Sequence, residues 1–308
     1  RSHPLPEARR YADLMLTELR KVIPSFLTRV DRPERGGVWS DYLAETETAS
    51  AEFVHELWPL QAPHPGARVT LTDFDPAGEN KVLAAICYSL TNLPETELLR
   101  RVRSLSASQR AALLETYVGK RANRRHRPGR AFERTDYRFD IVADYGAFRD
   151  LQRHRLLSIE WQPLGTDLGY EVPDLVEEAG LQDRYVDSLE RSRSLHDALT
   201  KYFPEMSGYA VALAFNIRFT MQMNAREAMH VIELRSTSQG HPAYRRIVQE
   251  MHRLIETEAG HRAIAGAMSF VEHGDVDLGR LEAEQRAETR SALKAVSEGG
   301  SRGQQGSS

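Results

Sequence analysis

Residues 215–236 read FNIRFTMQMNAREAMHVIELRS, a strand pattern that gives way to a helix pattern. Apolar residues alternate with polar ones over 215–221, which predicts a strand with one buried face. Asn224 is followed three residues later by Glu227, the spacing of an N-cap residue and its capping-box partner. The stretch therefore predicts a strand that runs directly into a capped helix.

Cationic side chains follow this cap. Arg226 and His230 are four residues apart, so they are neighbours on one face of the predicted helix, and Arg235 ends it. A capped helix with a polar outer face explains Asn224 fully. That explanation does not account as well for Arg218, which lies on the polar face of the preceding strand. An arginine on a sheet beside a capped helix favours a pocket lined by polar side chains.

A second junction lies upstream, where residues 149–165 read RDLQRHRLLSIEWQPLG. A helix predicted over 145–154 delivers Arg153, His154 and Arg155 at its C-terminal end, and a strand pattern follows. Cations at a helix C-terminus are favoured by the helix dipole, which makes a solvated basic turn the simpler interpretation. Arginine also offers a planar fork of donors that suits phosphate, so an anion-binding corner for a nucleotide cofactor is the alternative.

Composition places the chain among globular proteins. Its 308 residues suit one large or two modest domains, 41% are hydrophobic, and the net charge of -3 gives no field that would attract nucleic acid or an anionic membrane. Cys87 is the only cysteine, which excludes an intrachain disulfide and indicates a cytoplasmic location. No apolar run reaches the length of a membrane span, and the N-terminus has no signal-peptide centre. The first residue is not Met, so we expect a fragment or a processed product.

The pattern predicts four parts: an N-terminal helical segment over 1–60, a main domain over 67–275, a charged helix over 276–296, and a disordered tail over 297–308. One internal echo is visible. HPLPEARRYADLMLTEL near the start and HPAYRRIVQEMHRLIE at 241–256 both give His-Pro and then an amphipathic helix with an Arg pair and a Met. The echo is weak, but it raises the hypothesis that residues 1–60 are the tail of a preceding copy of the main domain.

A basic loop, GKRANRRHRPGR, occupies residues 119–130. No aromatic residue interleaves with its cations, so a nucleic-acid interface is not supported. A solvated loop is the simplest interpretation, and contact with a small phosphate-bearing ligand is the alternative. No metal-ligand spacing and no glycine-rich phosphate loop occur, so no metal site is predicted. Cys87, on an apolar helix face, fits a core residue better than a nucleophile.

Several of these features, in this order, resemble the flavin-dependent thymidylate synthase family from about residue 67 to 271. The residues that carry the resemblance are Cys87-Tyr88-Ser89, Phe132-Glu133, Arg149, the triplet 153–155, Ser158 and the stretch 215–236. The resemblance implies an α+β fold in which a mixed sheet packs against long helices, here with an extra N-terminal helical segment. It also implies a homotetramer with sites between subunits. The reaction implied is methylation of dUMP to dTMP with methylenetetrahydrofolate and NADPH as co-substrates and FAD as hydride relay.

The resemblance also implies roles for particular residues. The side chains that would contact FAD are Ser89, Arg153, His154, Arg155, Asn224, Arg226 and His230. Arg149 and Arg153 would lie near the nucleotide, and Arg235 would face the uracil ring as the catalytic residue. A fixed cation there can stabilise negative charge that develops on the ring.

Four positions depart from the family pattern. The family's Glu that contacts flavin and nucleotide is Trp161 here, and its dUMP-holding Ser and Arg are Pro163 and Gly165. A further family Arg aligns with Gly208. Two hypotheses follow: an active enzyme that recruits basic residues from 120–134, or a non-catalytic divergent copy that keeps the fold and is retained for assembly or for flavin binding alone.

Overall fold

The computed structural model describes residues 1–59 and 66–274, together with Gln285 and Thr289. Apart from those two residues, the predicted charged helix and the predicted tail lie outside the described part of the chain. The described residues divide into two compact units: 1–59 with 164–212, here the helical unit, and 66–163 with 213–274, here the sheet unit. The predicted domain limits at 60, 67 and 275 stay predictions.

Twelve α-helices lie in the described residues. They are α1 (Pro6–Val22), α2 (Pro24–Leu27), α3 (Val38–Leu57), α4 (Gly78–Tyr88), α5 (Glu95–Ser104), α6 (Ala107–Val118), α7 (Tyr145–Leu151), α8 (Asp174–Glu178), α9 (Gln182–Tyr202), α10 (Ala225–Arg235), α11 (Pro242–Thr257) and α12 (Arg262–Ala267). Short turns of other helix types occupy Pro33–Gly37, Arg130–Arg134 and Pro204–Ala210. None of the described helices is both long enough and apolar enough to cross a membrane.

Four strands form one sheet in the sheet unit. They are β1 (Val69–Phe74), β2 (Asp136–Asp144), β3 (Ser158–Trp161) and β4 (Asn216–Asn224), in the order β1-β2-β4-β3. Every pair of neighbours among these described strands is antiparallel. The α+β class is confirmed, but the prediction of a mixed sheet is wrong. Alternation shows which residues share a face, whereas strand direction is set by the long connections between strands, which the alternation does not reveal.

The core of the sheet unit lies where α10 and α11 pack on the sheet. The alternating residues of the two central strands are buried, among them Phe139 and Ile141 in β2 and Phe219 and Met221 in β4. Each such side chain contributes about 1.5–3 kcal/mol when it leaves water. The strand predicted before Asn224 therefore lies at the centre of the sheet, and it fixes the helix that follows.

The helical unit is packed very differently. Leu189 of α9 and Val211 are its buried apolar residues within the described chain, together with the polar Thr166. None of the residues of α1 or α3, all of them described, is buried. Its helices therefore leave apolar side chains in water.

Candidate functional site

The N-cap predicted at the junction of β4 and α10 is confirmed, whereas the predicted capping box does not form. The Asn224 side-chain oxygen accepts a hydrogen bond from the Glu227 amide at 2.9 Å, which starts the helix. The Glu227 carboxylate lies 3.6 Å from Nδ1 of His154. Asn224 therefore caps the helix alone, and the carboxylate of Glu227 faces a histidine from another segment.

The second junction supplies that histidine. Helix α7 ends at Leu151, three residues before the predicted end, so the triplet 153–155 lies in the turn between α7 and β3. The triplet is therefore not part of the last helical turn, and the helix dipole explains its charges less directly than the sequence suggested. His154 is buried, whereas its neighbours Arg153 and Arg155 are exposed.

A direct contact joins the two junctions. Arg235 Nε donates to His154 Nε2 at 3.0 Å, and its Nη2 donates to the Asp150 carbonyl at 2.6 Å. The Asp150 carboxylate lies 3.8 Å from the same guanidinium and 3.2 Å from that of Arg153. Two segments 81 residues apart in sequence therefore meet at one buried imidazole.

His230 completes the cluster from the next turn of α10. Its ring lies edge-on to that of His154, with 5.4 Å between centroids. Ligand-type atoms of His154, Glu227 and His230 lie within 4.8 Å of one another, which is close enough to hold a metal ion. Arginines are bonded to both imidazoles, and their charge opposes a divalent cation there. The prediction of no metal site stays a prediction.

The basic loop 119–130 contacts the same helix, which the sequence did not indicate. Arg127 Nη2 lies 3.0 Å from His230 Nδ1. Arg226 donates to the Pro128 carbonyl at 2.9 Å and lies 3.5 Å from the Glu133 carboxylate. Burial lowers the pKa of His230 first, and the charge of Arg127 lowers it further.

A family profile described as thymidylate synthase complementing protein matches residues 70–259. The chain belongs to this family. A UPF0159 protein of Chlamydia muridarum (strain MoPn / Nigg) is 34% identical over 92% of this chain and 53% of its own length. A UPF0159 protein of Thermoplasma acidophilum is 36% identical over 67% of this chain and 41% of its own. The chain thus spans about half the length, or less, of these relatives.

A solved structure shares the fold. The UMP/dUMP methylase PolB from Streptomyces cacaoi, bound with 5-Br dUMP, superposes with a TM-score of 0.52 at 17% identity. The match covers 64% of this chain and 94% of that one. At this level of identity the likeness shows the fold, and the function of that protein is not transferred by it.

Other residues predicted from the family resemblance lie at the surface of the sheet unit. Ser89 is exposed just after α4, where its hydroxyl donates to the Ile86 carbonyl at 3.2 Å, and Arg149 is exposed on α7. Cys87 is half-buried, and burial raises the pKa of its thiol, which works against a thiolate nucleophile. The roles proposed for Ser89, Arg149 and Arg155 stay predictions.

The positions that depart from the thymidylate synthase pattern differ in their surroundings. Trp161 is 53% exposed at the end of β3, with its ring edge-on to Phe148 at 5.5 Å. Pro163 is exposed in the sheet unit. In the helical unit, Gly165 has open space around it, whereas a side chain at Gly208 would touch Leu164. None of these four residues has a charged or hydrogen-bonding carboxylate, hydroxyl or guanidinium group of the kind that the resemblance implies at its position.

Proposed function

We propose that this chain is a thymidylate synthase-like domain that binds FAD and methylates dUMP. The observation that carries the proposal is the contact of Arg235 with His154, because it assembles cation and imidazole from distant segments in one partly buried place. Family membership over residues 70–259 and the shared fold with a UMP/dUMP methylase support it.

The donor set suits a flavin. His230 offers a ring nitrogen, while Asn224 and Arg226 offer an amide and a guanidinium. His154, whose ring nitrogens face Arg235 and Glu227, would contact the flavin beside them. Together with the exposed Ser89, Arg153 and Arg155, these residues would hold FAD through its polar ring edge and its phosphates. FAD, when bound, supplies the relay of hydride from NADPH, with methylenetetrahydrofolate as the carbon donor.

Arg235 has a geometry that suits the catalytic role proposed for it. Its side chain is 15% exposed and is held at two donor atoms, so its orientation is fixed before a substrate arrives. A preorganised guanidinium stabilises negative charge that develops on a pyrimidine ring without reorganising at that moment. Arg149 and Arg153, both exposed, would meet the phosphate of dUMP.

The exposed flavin-binding residues also suit an assembly in which subunits complete one another's sites. We propose a homo-oligomer, a tetramer by family resemblance, located in the cytoplasm. The second candidate function is a non-catalytic divergent copy that keeps the fold, the assembly and flavin binding. The replacements at Trp161, Pro163 and Gly165 favour this candidate, because they remove one carboxylate acceptor and two donors that the family resemblance assigns to the site.

Purified protein tests the proposal. It should carry flavin absorbance, and under anaerobic conditions dUMP together with methylenetetrahydrofolate should accelerate oxidation of the reduced flavin, because the one-carbon unit transferred to dUMP accepts the hydride. Arg235→Ala should lower that dUMP-dependent rate about 100-fold or more while flavin stays bound. Arg253→Ala is the matched control, since Arg253 is a solvated arginine on α11 paired with Glu250.

Each other outcome decides between the candidates. A yellow protein without dUMP-dependent turnover indicates the non-catalytic copy. A colourless protein that FAD cannot reconstitute rejects the active enzyme and the flavin binding of the divergent copy. If Arg235→Ala unfolds the chain, Arg235→Lys keeps the charge and tests whether the bidentate fork is needed.

A further inference from the structure

The basic loop 119–130 is anchored by a buried ion pair. Both nitrogens of the Arg121 fork lie 2.6 Å from the two carboxylate oxygens of Glu233 on α10. The two side chains are 3% and 1% exposed, and Arg121 also donates to the Ala267 carbonyl at 2.9 Å. A buried bidentate pair fixes the relative position of its two side chains, so it holds the start of the loop, at Arg121, in one position against α10.

The far end of the loop is fixed as well. The Ala131 amide donates to the Tyr117 hydroxyl at 3.1 Å, and the backbone at Gly129 lies so close to that hydroxyl that a Cβ has no room. Arg226 binds the Pro128 carbonyl between these points. The loop 119–130, for which a solvated loop was the simplest interpretation of the sequence, is therefore fixed at both ends within the sheet unit.

The fixed loop presents positive charge to His230. Arg226 is balanced by Glu133, and Arg235 by Asp150. Arg127 and Arg124 form no ion pair with any residue of the described chain, although both act electrostatically on His230. Arg127 faces the His230 imidazole without a carboxylate partner of its own among the described residues, and the one described carboxylate close to His230, that of Glu227, also lies beside His154. A bound anion would stabilise this arrangement.

We propose that Arg127 and His230, backed by Arg124, form a phosphate subsite at the α10 face of the candidate site. The phosphate belongs either to the diphosphate of FAD or to the monophosphate of dUMP, and this choice of ligand rests on the proposed function. Arg127 supplies a fork that matches phosphate oxygens, and the His230 ring supplies one further donor. Because Arg121 and Glu233 hold the loop in place before a ligand binds, binding loses little conformational entropy from ordering the loop.

The test uses the full chain, with Arg127→Ala as the variant and Arg125→Ala as its control. Arg125 lies two residues away in the same loop, and its guanidinium forms no hydrogen bond or ion pair with any other described residue. Inorganic pyrophosphate is the first probe, with the His230 ring followed by NMR across a pH titration. Pyrophosphate should raise the pKa of His230 in wild type and in Arg125→Ala, and should leave it unchanged in Arg127→Ala.

Matched ligand pairs then identify the source of the phosphate. FAD against riboflavin, and dUMP against deoxyuridine, differ in phosphate and not in the ring. Arg127→Ala should weaken one of the two phosphate-bearing ligands at least tenfold, more so at low salt, without changing its phosphate-free counterpart. A loss for FAD assigns the diphosphate, and a loss for dUMP assigns the monophosphate.

Two results separate failure of the subsite from failure of the proposed function. If wild type and Arg127→Ala bind pyrophosphate, FAD and dUMP equally well, the subsite is rejected while the proposed function stands. If wild type binds neither FAD nor dUMP, but pyrophosphate still acts on His230 through Arg127, the subsite stands and the proposed function falls.

Discussion

Helices α1 and α11 have related sequences and opposite surroundings. Each begins at a proline, and their first, fourth, fifth and tenth residues are identical: Pro, Arg, Arg and Met. In α11 the tenth residue, Met251, is fully buried. In α1 the tenth residue, Met15, is 62% exposed. The same position is a core residue in the sheet unit and a surface residue in the helical unit.

The comparison shows what an amphipathic pattern specifies. It gives a helix an apolar face, but burial needs a partner element, and α11 has the sheet, α7, α10 and α12. The apolar residues of α1 at the positions that α11 buries, such as Tyr11 and Leu19, remain in water. The hypothesis that residues 1–60 end a preceding copy stays a prediction.

We expect the largest difference in the free energy of unfolding between the two units from a Glu→Gln change made once in each of them. Glu233→Gln in α10 leaves Arg121 buried without its counter-charge, which should cost about 3–5 kcal/mol. Glu18→Gln in α1 breaks the exposed pair with Lys21 and should cost no more than about 1 kcal/mol. Urea unfolding measures both.

Equal losses for these two variants would contradict the contrast between the units. Glu233→Gln should also weaken pyrophosphate binding at Arg127, since it releases the root of the loop. If that variant does not fold, Arg121→Lys keeps the charge and loses only the bidentate fork, so the anchoring role remains testable.

The methionine pair gives the next largest effect. Met251→Ala in α11 should lower the free energy of unfolding by about 2–5 kcal/mol, because it opens a cavity in a packed core. Met15→Ala in α1 should change it by no more than about 0.5 kcal/mol. A large loss at Met15 that grows with protein concentration would mean that a second copy covers α1 in solution.

Local features of the site could be predicted from the sequence. The strand over 216–224 and the Asn224 cap are consequences of alternation and of a side chain that bonds its own helix, so residues close in sequence suffice. The side chain of Glu227 could not be placed in the same way. Its partner, His154, comes from a segment that only the folded sheet unit brings near.

Non-local features needed either the family resemblance or the structure. The convergence of His154 and Arg235 was implied by the resemblance, and no spacing in the sequence required it. Arg127 was visible only as one of many cations, because a loop has no periodicity that marks one side chain as inward-facing. The buried pair of Arg121 and Glu233, 112 residues apart, left no sequence signal that we recognised.

The smallest effect concerns the histidines that flank the two helices. His261 follows α11 and is 2% exposed, with Nδ1 2.8 Å from the Tyr137 hydroxyl, whereas His3 precedes α1 and is exposed. Burial lowers the pKa of His261, although the nearby Glu79 and Asp75 partly oppose this. The unfolded chain therefore binds the proton more readily, and stability should fall as pH drops below about 6.5.

The contribution of one such proton is limited to about 1.4 kcal/mol per pH unit. The measurement is the free energy of unfolding between pH 8 and pH 5, each pH value being a chosen condition. The pKa of His230 is lowered as well, so the contribution of His261 is obtained by comparing the pH dependence of the unfolding free energy in wild type and in His261→Gln. His261→Gln should flatten the decline, and His3→Gln should not. If His3→Gln flattened it as much, α1 would be packed as α11 is, and the contrast between the two helices would be wrong.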